Sequence, residues 1–269
     1  MKRRPADYWR LFGFLLRSGL RERMQYKANF LITTIFRVLS VLIDFVLLAV
    51  ILARFRVIDG WDLAEVAVLY GLVSVSRGLF DLLARELEQF EKYLVSGDYD
   101  GILVRPWPTV FGLLARKVDV TRLGMLLQGF AIGGSGAVLL VRRGSLAWPA
   151  LAYLAVLPLC GAAILVAVAM GTAALGFWLV RIDEFYVFTM YAPMTAAVYP
   201  ISIYPGWLRG LLHTVVPMAF AGYVPVNYLL GKGGNGWSLL APLPVAVLAL
   251  WLAHRLWLWG ERHYHSTGT

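Results

Sequence analysis

The chain has 269 residues, of which 59% are hydrophobic and only 15% charged, and a mean hydropathy of +0.68. This balance excludes an ordinary soluble domain, and the apolar residues fall in blocks of the roughly 20 residues that a bilayer crossing needs. The formal charge is +9, and eight of the 25 basic residues precede the first apolar block, Lys2, Arg3, Arg4, Arg10, Arg17, Arg21, Arg23 and Lys27, which is the positive-inside pattern and argues against nucleic acid as a partner.

In chain order, residues 5–26 mix aromatic and aliphatic side chains with arginines and predict an amphipathic helix in the cytoplasmic interface, within an interfacial segment 1–27. No cleavable signal peptide is expected, because LFGFLL is short for an h-region and no small-residue cleavage site follows it. A first span is expected over about 29–52 and a second over about 63–83, joined outside by RFRVIDGWD. Residues 84–108 form a charged stretch of both signs and are the largest soluble segment within the chain, the natural docking surface for a cytosolic partner. The next helix starts near Thr109 in the interface, with Arg116, Lys117, Asp119 and Arg122 in its first turns, and crosses over about 123–141.

A fourth apolar run, about 148–180, exceeds one upright span and carries Pro158, which predicts a tilt or kink. A fifth span is expected over about 185–203, an external segment over 204–236 and a sixth span over about 239–259. Both termini then lie on the cytoplasmic side. The single cysteine, Cys160, excludes an intramolecular disulfide and a cysteine metal cluster.

The most informative stretch is the apolar run from Tyr199 to Pro225, which carries Pro200, Pro205, Pro217 and Pro225. Each proline removes a backbone donor and clashes with the preceding turn, so no straight helix passes through it. Broken backbone persists at membrane depth only where protein or a watery cavity satisfies it. A re-entrant hairpin that enters and leaves by one face fits both constraints.

Four ionisable residues fall inside the first two spans: Arg37, Asp44, Arg77 and Asp81. Charges there are costly and should pair. Antiparallel neighbours would match Arg37 with Asp81 and Asp44 with Arg77 as structural ion pairs, and a substrate- or proton-conducting role is the sharper alternative. Gly129 and Gly133, followed by Gly134 and Gly136, permit close helix approach within or between subunits. His263 and His265 lack the carboxylates that a metal site would need, and His213 and His254 are isolated. No phosphate-binding loop, His-Glu-x-x-His or Gly-x-Ser-x-Gly occurs.

Three features together resemble the membrane subunit of an ABC transporter of the ABC-2 (type V, exporter-like) permease class, in its DUF990 branch. They are YLVSGDYDGILVRPWP in the second loop, the order of six spans behind a basic interfacial helix, and the run EFYVFTMYAPMTAAVYPISIYPGWLRGLLHTVVPMAFAGYVP. The resemblance implies an all-α polytopic membrane protein, a single transmembrane domain over 1–269 with six spans and an extracellular re-entrant hairpin between the last two. It implies a cytosolic ATPase dimer as partner, holding the ATP and magnesium that this chain does not bind, and a second permease chain, related or identical. It places the ATPase-coupling surface on Glu86, Glu88, Glu91, Gly97, Asp98, Asp100, Arg105 and Pro106. The outer gate and pathway would involve Tyr191, Tyr199, Pro200, Tyr204, Pro205, Trp207, Pro217 and Pro225. The acidic-leucine spacing in Asp-Tyr-Asp-Gly-Ile-Leu-Val is looser than the family pattern, which leaves open which acid docks.

The expectation is therefore a non-enzymatic permease of the bacterial inner membrane, surrounded by lipid and exporting a lipid, glycolipid or hydrophobic drug. A membrane-embedded lipid-modifying enzyme and a non-transporting scaffold or sensor are the alternatives.

Overall fold

The computed structural model describes residues 59–114, 122–179 and 181–264, together with eight isolated helical positions between 32 and 50. The interfacial helix, most of the first expected span, and Arg37 and Asp44 within it lie outside the described residues, as do Arg116, Lys117, Asp119 and His265. The described part is helical, in the order α1 (Leu63–Leu83), a 3-10 turn (Arg85–Gln89), α2 (Phe90–Val95), α3 (Asp100–Leu103), α4 (Thr109–Leu114), α5 (Leu123–Arg142), α6 (Pro149–Leu179), α7 (Asp183–Tyr186), a π turn (Val187–Tyr191), α8 (Ala192–Ala197), a 3-10 turn (Ile201–Ile203), α9 (Gly206–His213), a 3-10 turn (Met218–Ala221), α10 (Tyr223–Leu229), α11 (Trp237–Leu240) and α12 (Pro242–Glu261). Among the described residues α1, α5, α6 and α12 are long and apolar enough to cross a membrane. Their bounds fall within three residues of the second, third, fourth and sixth expected spans. α6 runs as one helix of 31 residues with Pro158 inside it.

The bundle is built around α6, which packs against α1 on one side and α12 on the other, while α5 covers α1. Glycine sets the α1–α5 distance. A Cβ built on Gly71 would lie 2.4 Å from the Gly133 Cα, and one on Gly136 would lie 2.6 Å from the Ala64 carbonyl. The GxxxG run is therefore spent inside the subunit, seating α5 on α1. The same device acts between α1 and α6, where a Cβ on Gly161 would meet Ser76 Oγ at 2.2 Å and Ala221 Cβ at 3.2 Å.

The fifth expected span differs most. Helix runs only from 183 to 197 and contains a π turn. These fifteen residues rise about 22 Å, less than the roughly 30 Å of hydrocarbon. The cause lies in Pro193, which has no N–H for the carbonyl four residues back and whose ring crowds it. The turn before it widens, and the Ala192 N–H donates to the Val187 carbonyl. Pro200 then ends the helix, and the chain enters the proline-broken segment.

That segment penetrates the bundle. Met218, Ala219 and Ala221 are fully buried, with Ala221 against Gly161 and beside Ser76 near the middles of α6 and α1. On the way in, α9 leaves Trp207 71% exposed. On the way out, Tyr223 of α10 stacks against Trp61 just before α1, and Lys232 Nζ pairs with Glu65 at 2.7 Å.

Replacing Gly71 or Gly133 by leucine should push α5 off α1, lowering the thermal midpoint in detergent by an amount corresponding to about 1–3 kcal/mol or abolishing the monodisperse peak. Gly134→Ala, with open space around its Cβ position, should leave both unchanged.

Candidate functional site

Two ends of the bundle carry distinct chemistry. At the Trp61 end, Asp62 caps α1 and exchanges hydrogen bonds with Glu65 in a capping box. Arg143, following α5, pairs with Asp62 at 2.6 Å. Lys232, following α10, pairs with Glu65, donates to the Gly60 carbonyl and lies 4.8 Å from the Trp61 ring centre. The start of α1 thus ties down the two loops that flank it.

The opposite end holds residues 84–108 against the bundle. After α1 the chain turns at Ala84, and the 3-10 turn Arg85–Gln89 swings Glu88 back under α1. Arg77 Nε lies 2.8 Å from Asp81 Oδ1 and its Nη1 lies 3.0 Å from Glu88 Oε1. Arg122, at the start of α5, closes on Asp81 Oδ2 at 2.7 Å. The Arg77 guanidinium also sits 5.4 Å from the Tyr191 ring centre, beside the π turn, and within 4.0 Å of Met194 Sδ. One buried arginine therefore joins α1, the 84–108 segment and the irregular helix that follows α6. Burial pushes the Glu88 carboxyl above its ordinary range, against the pull of Arg77.

Further along the same segment, an aromatic cluster takes over. Phe90 and Tyr99 pack edge-on at 5.2 Å, and both contact Phe177 of α6 and Trp257 of α12. Tyr99 donates to Glu261 at 2.9 Å and Tyr264 donates to Asp100 at 3.0 Å. Burial, reinforced by the Glu261 carboxylate, holds the Tyr99 phenol protonated well above its ordinary value. Burial and the hydrogen bond to Asp100 push Tyr264 up to about 12. Glu91 accepts from the Ile182 and Asp183 N–H groups at 2.6 and 2.8 Å, capping the start of α7.

The expected coupling residues divide accordingly. Glu86, Glu88 and Glu91 turn inward, Glu86 accepting from the Tyr93 hydroxyl. Asp100 is half-buried against Tyr264. Gly97 takes φ +74 where α2 ends, and Asp98, Arg105 and Pro106 remain exposed. Between them the segment presents Val95, 58% exposed, and Val104, 84% exposed, to solvent.

Of the charges expected inside the spans, Arg77 and Asp81 are brought together within α1. Their expected partners Asp44 and Arg37 lie outside the described residues. Three participants were missed as such: Arg122, read only as an interfacial residue; Glu88, assigned to docking; and Met194. The i, i+4 spacing of Arg77 and Asp81 was a signal available in the sequence. The return of Glu88 was not, because it depends on the 3-10 turn at Ala84.

The expected gate residues do not converge on one point. Tyr191 belongs to the Arg77 group, Tyr204 donates to the Ala196 carbonyl, and Pro200 and Pro225 are buried. Tyr199 is partly buried, whereas Pro205 and Trp207 are exposed. Pro217 lines a cleft of about 460 Å³ between α6, α12 and the loop after α9, where Thr172, Thr189, His213 and Thr214 supply the polar groups. A smaller cavity of about 190 Å³ lies between α1, α5 and α6, lined by apolar residues such as Val68, Phe130 and Pro158. His263 packs against Trp178 and edge-on to Trp259, and among the described residues no three metal-ligating side chains gather.

An all-helical bundle with several membrane-length apolar helices and a clamped polar segment at one end defines a multi-pass membrane protein. Residues 38–268 match the family described as ABC-2 family transporter protein, and the chain belongs to that family. It is thus a permease subunit of an ABC transporter, a transport subunit rather than an enzyme. No curated protein matches the chain.

Arg77→Met should leave Asp81 and Glu88 with one cation fewer in a buried site and cost about 3 kcal/mol, read as a lowered thermal midpoint. Adding Glu88→Gln should recover part of it. For Glu88 the folded pKa is raised above the ordinary 4.5, so the folded chain holds the proton more tightly than the unfolded one. Its contribution is greatest below that value and falls as pH rises through the higher, folded one. Glu88→Gln should flatten the dependence of the thermal midpoint on pH across that window.

Proposed function

We propose that this chain is the membrane half of an ATP-driven exporter, in the DUF990 branch of the ABC-2 permeases. It works with a separate cytosolic ATPase dimer and a second permease chain, related or identical. In this reading it has six spans, with both termini on the cytoplasmic side of a bacterial inner membrane and an interfacial helix over 1–27. The ATPase partner binds the ATP and magnesium.

The observation that carries the reading is the attachment of residues 84–108. The segment is held to α1 through Arg77 and Glu88, to α7 through Glu91, and to the ends of α6 and α12 through the aromatic cluster. Its outer surface keeps Val95, Asp98, Val104, Arg105 and Pro106 exposed. A partner pushing on that surface moves several helix ends together, which is what a rigid-body switch between two arrangements requires. The motion reaches the irregular helix 183–197 through Arg77, and the proline-broken segment through its contacts on α6. We read the segment α9 to α10 as the re-entrant outer gate, since its buried tip meets the bundle near mid-depth and its exit returns to the Trp61 end.

The substrate is amphipathic or hydrophobic: a lipid, glycolipid or drug. The 460 Å³ cleft beside the tip supports this, being mostly apolar with a few hydroxyls and one imidazole.

The test is co-purification and turnover. The chain isolated from its native membrane should bring a soluble ATPase bearing a phosphate-binding loop, and isolation alone and intact would overturn the reading. Val104→Glu should lower ATP hydrolysis supported by the complex about tenfold, as loss of an interface anchor does, with the thermal midpoint of the isolated chain unchanged.

A further inference from the structure

α12 ends in a stripe of cations and indoles that faces away from the bundle. Trp251, Arg255, Trp259 and Arg262 recur at three- and four-residue spacing and so share one face. All four are exposed, while Ala253, Trp257 and Gly260 on the other side are buried against the core. Arg255 lies 5.6 Å from the Trp251 ring centre. Among the described residues neither Arg255 nor Arg262 has a carboxylate partner. The nearest acid in sequence, Glu261, is turned inward to the Tyr99 hydroxyl. Beside the stripe, Trp178 from the end of α6 packs 4.9 Å from Trp259, and His263 touches both rings.

The depth of Arg255 makes this arrangement demanding. Trp178 and Trp259 mark the level of the aromatic belt, where headgroups meet hydrocarbon. Arg255 comes one helical turn earlier, about 6 Å deeper. A cation there, on an outward face and without a carboxylate partner among the described residues, is costly unless something negative reaches it. Arg262, two turns along, directly follows α12 and keeps helical backbone angles, which leaves it on the same face. The Arg255 guanidinium lies toward Trp251; turned outward, as long cationic side chains turn at an interface, it meets Arg262 about an anion at the level of Trp259, and the forked donors of both suit phosphate oxygens.

We propose that this face of α12, with the Trp178–Trp259–His263 edge beside it, is a binding site for the phosphate of an anionic phospholipid in the leaflet at this end of the bundle. Arg255 and Arg262 hold the phosphate, and the indoles flank the glycerol and upper acyl chains. The site is independent of the transport reading. It depends only on the chain spanning a membrane.

The test uses the full chain in detergent, with phosphatidylglycerol and phosphatidylcholine added separately and retained lipid counted by native mass spectrometry. The unmodified chain should retain phosphatidylglycerol in preference to phosphatidylcholine. Arg255→Gln with Arg262→Gln should lower phosphatidylglycerol retention by more than tenfold, at about fivefold per arginine. Arg209→Gln, which removes an exposed cation on α9, should leave retention unchanged and so controls for net charge. These outward side chains bury no core surface, so the double variant should keep the thermal midpoint. Equal retention of the two lipids, or undiminished phosphatidylglycerol in the double variant, overturns the site. So does loss of association between two copies of the chain with lipid retention intact, because the arginines would then serve a protein partner.

Discussion

Everything at the Phe90 end depends on the burial of Arg77 between two carboxylates. Its guanidinium cannot be left alone in an apolar bundle, and Asp81 cannot be left alone beside it. Satisfying both requires that Glu88 return beneath α1 and that Arg122 approach from the start of α5. The return of Glu88 fixes the path of the chain out of the membrane, and that path places Phe90 and Tyr99 against Phe177 and Trp257. A polar requirement at one point thereby orders an aromatic cluster several residues away, and the 84–108 segment becomes part of the bundle.

The same arginine gives the segment its reach. The ring of Tyr191, the last residue of the widened turn before Pro193, and the sulfur of Met194, just after that proline, lie against the guanidinium. A π turn is a common place for a helix to change shape, since its hydrogen bonds are already out of register. Glycine contacts do the complementary work of rigidity. Gly71 on Gly133 and Gly161 on Ser76 bring α1, α5 and α6 to separations that admit little sliding. The bundle thus joins a stiff three-helix body to a more irregular layer formed by residues 183–229.

The sequence made the long helices legible because apolar length alone identifies them, and α1, α5, α6 and α12 fall where the hydropathy put them. The proline count between Tyr199 and Pro225 was equally direct evidence of broken backbone. Side-chain partners were harder to read. Glu86, Glu88 and Glu91 look like a solvated acidic face in sequence, because charge composition is blind to the 3-10 turn that folds them inward. Pro193 was present in the sequence, but placing a π turn before it needs the competing packing of the neighbouring helices. The clamp of Lys232 on Glu65 and Gly60 spans more than 160 residues, a pairing that no local pattern encodes.

Residues 84–108 and the ends of α6 and α12 should move as one body. Spin labels at Val104→Cys and Leu258→Cys, both exposed positions, report the distance between the segment and α12 by double electron–electron resonance. In the assembled transporter one narrow distance is expected, unchanged when the proposed ATPase partner binds ATP. A distribution that shifts or broadens on nucleotide binding would contradict it, because the segment would then be sliding on the bundle instead of carrying it.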